Sequence, residues 1–288
     1  YYTPREIVHY MCKQSLINYL YTQAEEAGLS SAIKKQDIED LIEVGEMITE
    51  HEATALIKQE NIKNGTHKST EYTSLLSDSI RENAATIDRW LEEITVCDPA
   101  VGSGAFPVGM MNEIVRARNV LSVFLNDRTR NDYEFKRRCI EHSLYGVDID
   151  PGAVEIAKLR LWLSLVVDEE DIKNIKPLPN LDYKIVCGNS LLGYGYRPGG
   201  LDEIENLKNQ YFETNNSEKR KLKQKIDSAI EKQFSGSPKS LGYKLTFDFQ
   251  INFSEIWHNR DGFDIVIGNP PYVEHKKLKP FSKIFKDN

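Results

Sequence analysis

Four short apolar runs, each ending in a residue that can meet a ligand, constrain the fold of this chain more than any other feature. Ile94-Thr95-Val96-Cys97 runs into Asp98 and a glycine-rich turn, and Leu144-Tyr145-Gly146-Val147 runs into Asp148. Tyr183-Lys184-Ile185-Val186-Cys187 runs into Gly188-Asn189, and Phe263-Asp264-Ile265-Val266-Ile267-Gly268 runs into Asn269. Helical patterns over 104–125 and 152–167 separate the first three. Strands alternating with helices predict an α/β fold with a parallel sheet covered on both faces. In such sheets ligands bind beyond the carboxyl ends of the strands, where all four runs carry their polar residues.

Before this alternation, residues 1–94 read as a helical region. Thr3-Pro4-Arg5-Glu6 has the form of a capping box with Pro at the first helical position. Ile7, Val8, Met11, Cys12, Leu16, Ile17 and Leu20 then follow at helical spacing. Further helical stretches are expected near 36–60 and 71–93, with a turn at Asn64-Gly65-Thr66 between them. Residues 95–288 form the α/β core, interrupted by a polar helical insertion near 201–234 that reads as a surface hairpin. Its Lys219-Arg220-Lys221 run is expected to be a solvated face.

With 288 residues, 40% of them hydrophobic, the chain can bury one substantial core. No run approaches the ~20 apolar residues of a membrane span, and the N-terminus lacks a signal-peptide pattern. Cys12, Cys97, Cys139 and Cys187 lie far apart, as expected of reduced thiols in a cytoplasmic protein rather than of zinc ligands or disulfides. The six histidines are scattered as well, so no metal is expected. A net charge of −7 argues against holding nucleic acid by bulk electrostatics, so any DNA contact needs a local basic surface or a further segment.

The residues at the strand ends carry the chemistry. In Asn269-Pro270-Pro271-Tyr272 the prolines stiffen a loop whose first proline carbonyl faces outward. An amide oxygen, a fixed carbonyl and an aromatic ring together suit a planar amino group, whose hydrogens they accept while the ring stacks on its π system. Acceptors placed there stabilise the positive charge that develops as such a nitrogen attacks. In Asp98-Pro99-Ala100-Val101-Gly102-Ser103-Gly104-Ala105-Phe106 the glycines allow close approach of the backbone to a ligand. Pro107 stands where a dinucleotide fingerprint has its third glycine, and Asp98 would repel a pyrophosphate. A carboxylate at that mouth suits a cationic ligand, such as the ammonium of S-adenosylmethionine. The ligand's carboxylate would meet N–H groups at the helix start near 104 or at the one capped by Thr3.

Asp148 is placed to accept hydrogen bonds from ribose hydroxyls, whereas Asp150, before Pro151, reads as a helix N-cap. The spacing of about 50 residues from Asp98, against the usual ~20, implies an inserted helical segment around 126–142. In Gly188-Asn189-Ser190, Asn189 reads equally as a partner of an adenine amine and as an Asx turn.

Taken in order, these groups resemble the γ arrangement of amino-group adenine DNA methyltransferases, most of all the methyltransferase core of type IIG restriction–modification enzymes. The matching segments are Tyr2 to Val8, Asp98 to Phe106, Gly146 to Pro151, Phe247-Asp248-Phe249 and Phe263 to Val273. The resemblance implies a Rossmann-like S-adenosylmethionine-dependent sheet with an N-terminal helical region. It places Thr3, Asp98, Ala100, Gly102, Gly104, Asp148, Ile149, Asn189 and Ser190 around the cofactor. It assigns Asn269, Pro270, Pro271 and Tyr272 to an adenine extruded from double-stranded DNA.

The family usually carries Asp where this chain has Asn189, which removes charge assistance from one cofactor contact. The later sheet strands and a target recognition domain are expected to lie outside this chain, so that it is a piece of a longer protein. His275-Lys276-Lys277-Leu278-Lys279 is a candidate phosphate contact. Two rivals share the motifs: a protein-glutamine N-methyltransferase, and a cofactor-binding module without activity of its own. A nicotinamide dehydrogenase is disfavoured by Asp98 and Pro107. Neither oligomeric state nor recognition sequence has a signal here.

Overall fold

The structure, a computed structural model, describes residues 3–44, 75–125, 127, 129–167, 181–194, 199–214, 216–235, 237 and 245–271. The expected turn at 64–66, Tyr272 and the basic stretch 275–279 lie outside the described residues.

The chain opens with helices α1 (Arg5–Glu26), α2 (Lys35–Val44), α3 (Asp78–Glu82) and α4 (Ala84–Glu93). Strand β1 (Val96–Asp98) leads into α5 (Ala105–Ser122) and α6 (Asp132–Arg138), the latter continuing as a π-helical turn over Cys139–Ser143. Strand β2 (Leu144–Asp148), α7 (Pro151–Val166) and β3 (Ile185–Cys187) follow. The hairpin α8 (Leu201–Glu213) and α9 (Asn216–Phe234), the short α10 (Phe249–Asn252) and α11 (Ser254–Asn259), and β4 (Ile265–Val266) complete it. The segment expected around 126–142 is thus α6 with its π turn. It accounts for the long interval between the first two strands.

The sheet is parallel throughout, in the order β3-β2-β1-β4. Asp98 is in register with Gly146, Asp148 with Cys187, and Cys97 with Val266, so the polar strand ends share one edge. Strand order reverses between β1 and β4, which opens a crevice at that edge.

Side chains alternate across the sheet with period 2. Val96, Leu144, Ile185, Ile265 and Ile267 join the large core, which also takes in Val8 to Ala24 of α1 and the buried side of α5. Cys97, Tyr145, Val147 and Val186 face the other way, onto Phe247, Phe253 and Ile256. The N-terminal helices and the main face of the sheet therefore share one continuous core. His9 Nδ1 adds a 2.7 Å contact to Glu113 Oε1, a carboxylate buried in α5.

Two expectations need correction. Thr3 does not form a capping box: Pro4 is the N-cap of α1, and the cap makes no side-chain hydrogen bond. The hydroxyl serves another partner, described below. The 201–234 insertion is a helical hairpin, but it is anchored more deeply than a surface excursion. Leu201, Ile204, Phe234, Leu245 and Ile251 form one small apolar cluster, and Tyr183, Tyr211, Leu222 and Ile226 another. Lys208, 1% exposed, gives its ammonium to Glu255 Oε2 at 3.0 Å and to the Asn252 carbonyl. Lys184 Nζ lies 3.7 Å from the other oxygen of Glu255 and 4.0 Å from the centre of the Tyr145 ring. Burial lowers the Lys184 ammonium pKa to about 8, Glu255 opposing the fall and Lys208 adding to it.

Candidate active site

At the strand ends the chain encloses a cavity of about 630 Å³, inside the size range of small-molecule sites. One wall is Cys97, Pro99 and Ala100 from β1 and the turn after it, with Asp148 and Ile149 after β2 and Gly188 to Leu191 after β3. Phe249, Trp257, Phe263, Val266, Pro270 and Pro271 form the opposite side.

The glycine turn after β1 is held from three directions. Gly102 N–H donates to Asp148 Oδ2 at 2.8 Å, and Val101 N–H donates to the Val147 carbonyl at 2.8 Å. Arg160 of α7 donates to both the carbonyl and the hydroxyl of Ser103, at 3.0 and 3.1 Å. Gly104 sits at φ +80° where α5 begins, a left-handed backbone that glycine adopts without Cβ strain.

Asp98 is buried, 1% exposed, and like Gly102 and Gly104 does not line the cavity; its Oδ1 accepts the Ala100 N–H at 3.0 Å. Burial pushes its carboxyl pKa up to about 7; the Ala100 N–H works against this and the Asp148 carboxylate adds to it. A cation placed above Asp98 reverses that balance.

Asp148 also accepts the Asp150 N–H through Oδ1, at 2.9 Å. Each of its oxygens holds one backbone donor and keeps a further acceptor site. Ile149, 70% exposed, presents an apolar surface beside it. Asp150 caps α7 by accepting Gly152 N–H at 2.8 Å. Asn189 makes an Asx turn, its Oδ1 accepting Leu191 N–H at 3.1 Å, and lines the cavity together with Ser190.

On the far side β4 brings in the loop. Ile265 N–H bonds to the Thr95 carbonyl and Ile267 N–H to the Cys97 carbonyl, at 3.1 and 3.0 Å, which fixes the strand against β1. Pro270 and Pro271 then edge the cavity, and the Asn269 side chain turns to α1, where Nδ2 donates to Thr3 Oγ1 at 3.1 Å.

The aromatic wall has no role in the motifs at the strand ends. Phe247 meets Phe249 edge to face at 4.9 Å, and Phe263 lies 5.1 Å from Tyr145 and 5.7 Å from Phe253. Asp248 fastens this wall: Oδ1 accepts the Gln250 and Ile251 N–H groups, and Oδ2 accepts Tyr194 N–H at 2.8 Å. The signal was the density of aromatic residues between 247 and 263, just ahead of the last strand.

A parallel sheet with acidic residues ending two strands, and a cavity at its switch point, defines an α/β domain of the kind that takes small ligands at the carboxyl edge of the sheet. The family model described as Eco57I restriction-modification methylase matches residues 142–288. A Methanocaldococcus jannaschii protein named as a type II restriction enzyme and methyltransferase is 31% identical over 246 residues, which is 81% of this chain and 18% of that protein. The adenine-specific methyltransferase PglX of Streptomyces coelicolor is 27% identical over 121 residues, 41% of this chain and 9% of that protein. This chain therefore belongs to the Eco57I restriction-modification methylase family. It spans less than a fifth of the length of either relative.

Proposed function

We propose that the chain forms the methyl-transferring core of a restriction–modification enzyme, with S-adenosylmethionine as donor and the exocyclic amine of an adenine in DNA as acceptor. The observation that carries this reading is the shared cavity: Pro99 and Ala100 of the turn after β1, Asp148 and Asn189 border the same space as Pro270 and Pro271. The names of the two relatives support methylation, and one of them supports adenine.

The residues present fit the donor. Asp98 suits its ammonium, the remaining acceptor sites of Asp148 suit ribose hydroxyls, and Ile149 gives its purine an apolar surface. When bound, the cofactor supplies an electrophilic methyl group on a sulfonium. The chain supplies the rest. An adenine amine is out of reach inside the duplex, so the base must leave the stack. The Asn269 side-chain oxygen and the Pro270 carbonyl accept its two hydrogens, and Tyr272 stacks on the ring. The prolines hold both acceptors in place beforehand, so little reorganisation accompanies the charge that develops on the nitrogen.

The test is methylome sequencing of cells with and without the full gene. A modified adenine at one recurring sequence, present only with the gene, is the expected result. An unchanged methylome together with methyl transfer to a protein glutamine would replace the reading with its rival.

A further inference from the structure

We infer that Thr3 is a positioning residue that sets which atom of the Asn269 amide faces the substrate. The inference deepens the reading above and rests on it. Asn269 presents an amide with two unlike ends, and only its oxygen can accept a hydrogen from an amino group. Turned over, the same side chain would set N–H against N–H.

The structure shows one of the two orientations. Nδ2 donates to Thr3 Oγ1 at 3.1 Å, and among the described residues Oδ1 has no hydrogen-bond partner. The two residues are 266 positions apart in sequence and reach each other on separate rigid elements. Asn269 follows β4, which the ladder with β1 fixes. Thr3 precedes α1, whose Val8 and Cys12 are buried in the core and whose His9 is tied to Glu113. Pro4, the N-cap of α1, has no side-chain acceptor, and the Thr3 hydroxyl one residue earlier is directed across the site.

A hydroxyl can also donate, and toward an amide oxygen it would select the wrong face. That choice closes once its hydrogen is given to an anionic group, for then the oxygen can only accept and the amide must offer its N–H. A carboxylate on the donor molecule near the start of α1 would have that effect. Donor binding and correct presentation of Asn269 are then coupled through one hydroxyl.

The test uses the full-length gene product and three changes: Thr3→Val, Thr3→Ser and Asn269→Asp. A carboxylate has two equivalent acceptor ends and cannot be turned wrongly. At saturating S-adenosylmethionine, Thr3→Val should therefore slow single-turnover DNA methylation by about tenfold, near the upper limit for one neutral hydrogen bond. Thr3→Ser should restore it, and adding Thr3→Val to Asn269→Asp should cost less than twofold. Equal losses in both backgrounds would overturn the positioning role.

A second readout needs no activity. In 15N-asparagine spectra of this chain, the side-chain NH2 pair that vanishes in Asn269→Asp should shift in Thr3→Val and stay in place in Thr3→Ser. An unmoved pair in Thr3→Val would overturn the inference. If the pair moves but the wild-type protein leaves DNA unmethylated, the substrate reading fails while the Thr3–Asn269 bond stands.

Discussion

Gly268 lies so close to the buried carboxyl of Asp98 that a β carbon added to it would stand 2.6 Å from Oδ1. The same carbon would be 3.4 Å from Cγ and 3.5 Å from the Pro99 ring. The absence of a side chain at 268 is what lets the loop of β4 close against the end of β1.

Gly268→Ala should therefore force Asp98 away from the Ala100 N–H or push the loop outward. Overpacking of this kind costs about 1–3 kcal/mol, which a urea midpoint will show. Cofactor affinity should fall with it, read by calorimetry. A variant with the wild-type midpoint and wild-type affinity would mean that the contact is relieved without consequence.

The carboxyl of Asp98 is raised from 3.8 to about 7, and binding of the proposed cofactor should therefore depend on pH. Between those values the native chain holds a proton that the unfolded chain does not. Its contribution to stability therefore falls as pH rises from 4 to 7, and is level above. A bound cation favours the carboxylate, so binding below pH 7 must release a proton. Affinity for S-adenosylmethionine should rise up to tenfold per pH unit below 7 and flatten above. Titrations at pH 6 in two buffers of different ionisation enthalpy will detect the proton; identical heats would exclude this coupling.

In the proposed reaction, Asn269→Ala removes an acceptor for charge that forms only during attack. Losses of about 10²–10³ in turnover follow from removing one such group, while the cofactor dissociation constant should change only a few-fold. The two are measured by methyl transfer to DNA and by calorimetry. Equal damage to both would assign Asn269 to ground-state binding.

Lys208→Met tests the anchor of the helical hairpin. Glu255 would keep Lys184 at 3.7 Å but lose its 3.0 Å partner. Breaking a buried pair from one side costs about 3–5 kcal/mol, and the second lysine places this case at the lower end, about 3 kcal/mol. Denaturant unfolding reads the loss, and a change under 1 kcal/mol would show that the hairpin is held by its apolar clusters alone.

The strand-and-helix order was readable because each strand carries its own short apolar pattern, and all four run into polar or glycine residues that mark the edge of the sheet. Asp98, Asp148 and Asn189 stood out as candidates for the same reason: they end or closely follow strands. What could not be read depends on contacts distant in sequence. Nothing near Thr3 says that its hydroxyl will leave its own helix, since Glu6 three residues on imitates a capping box. Trp257 and Phe249 sit in short helices whose pattern matches any core segment. Only the fold turns them toward the cavity. Lys208 looked like one more cation in a polar helix until Glu255, 47 residues away, gave it a buried partner.

The span between Thr3 and Asn269 orders the birth of the site in time. A chain emerging from the ribosome can pair β1 with β2 and settle α1 on α5 long before position 269 has been made. The wall of the cavity after β1 and β2 can therefore form first, while its aromatic wall and the Thr3–Asn269 contact wait for a closure spanning 266 positions. A chain halted before β4 would carry the glycine turn and Asp148 on an open edge with no cavity to enclose a ligand.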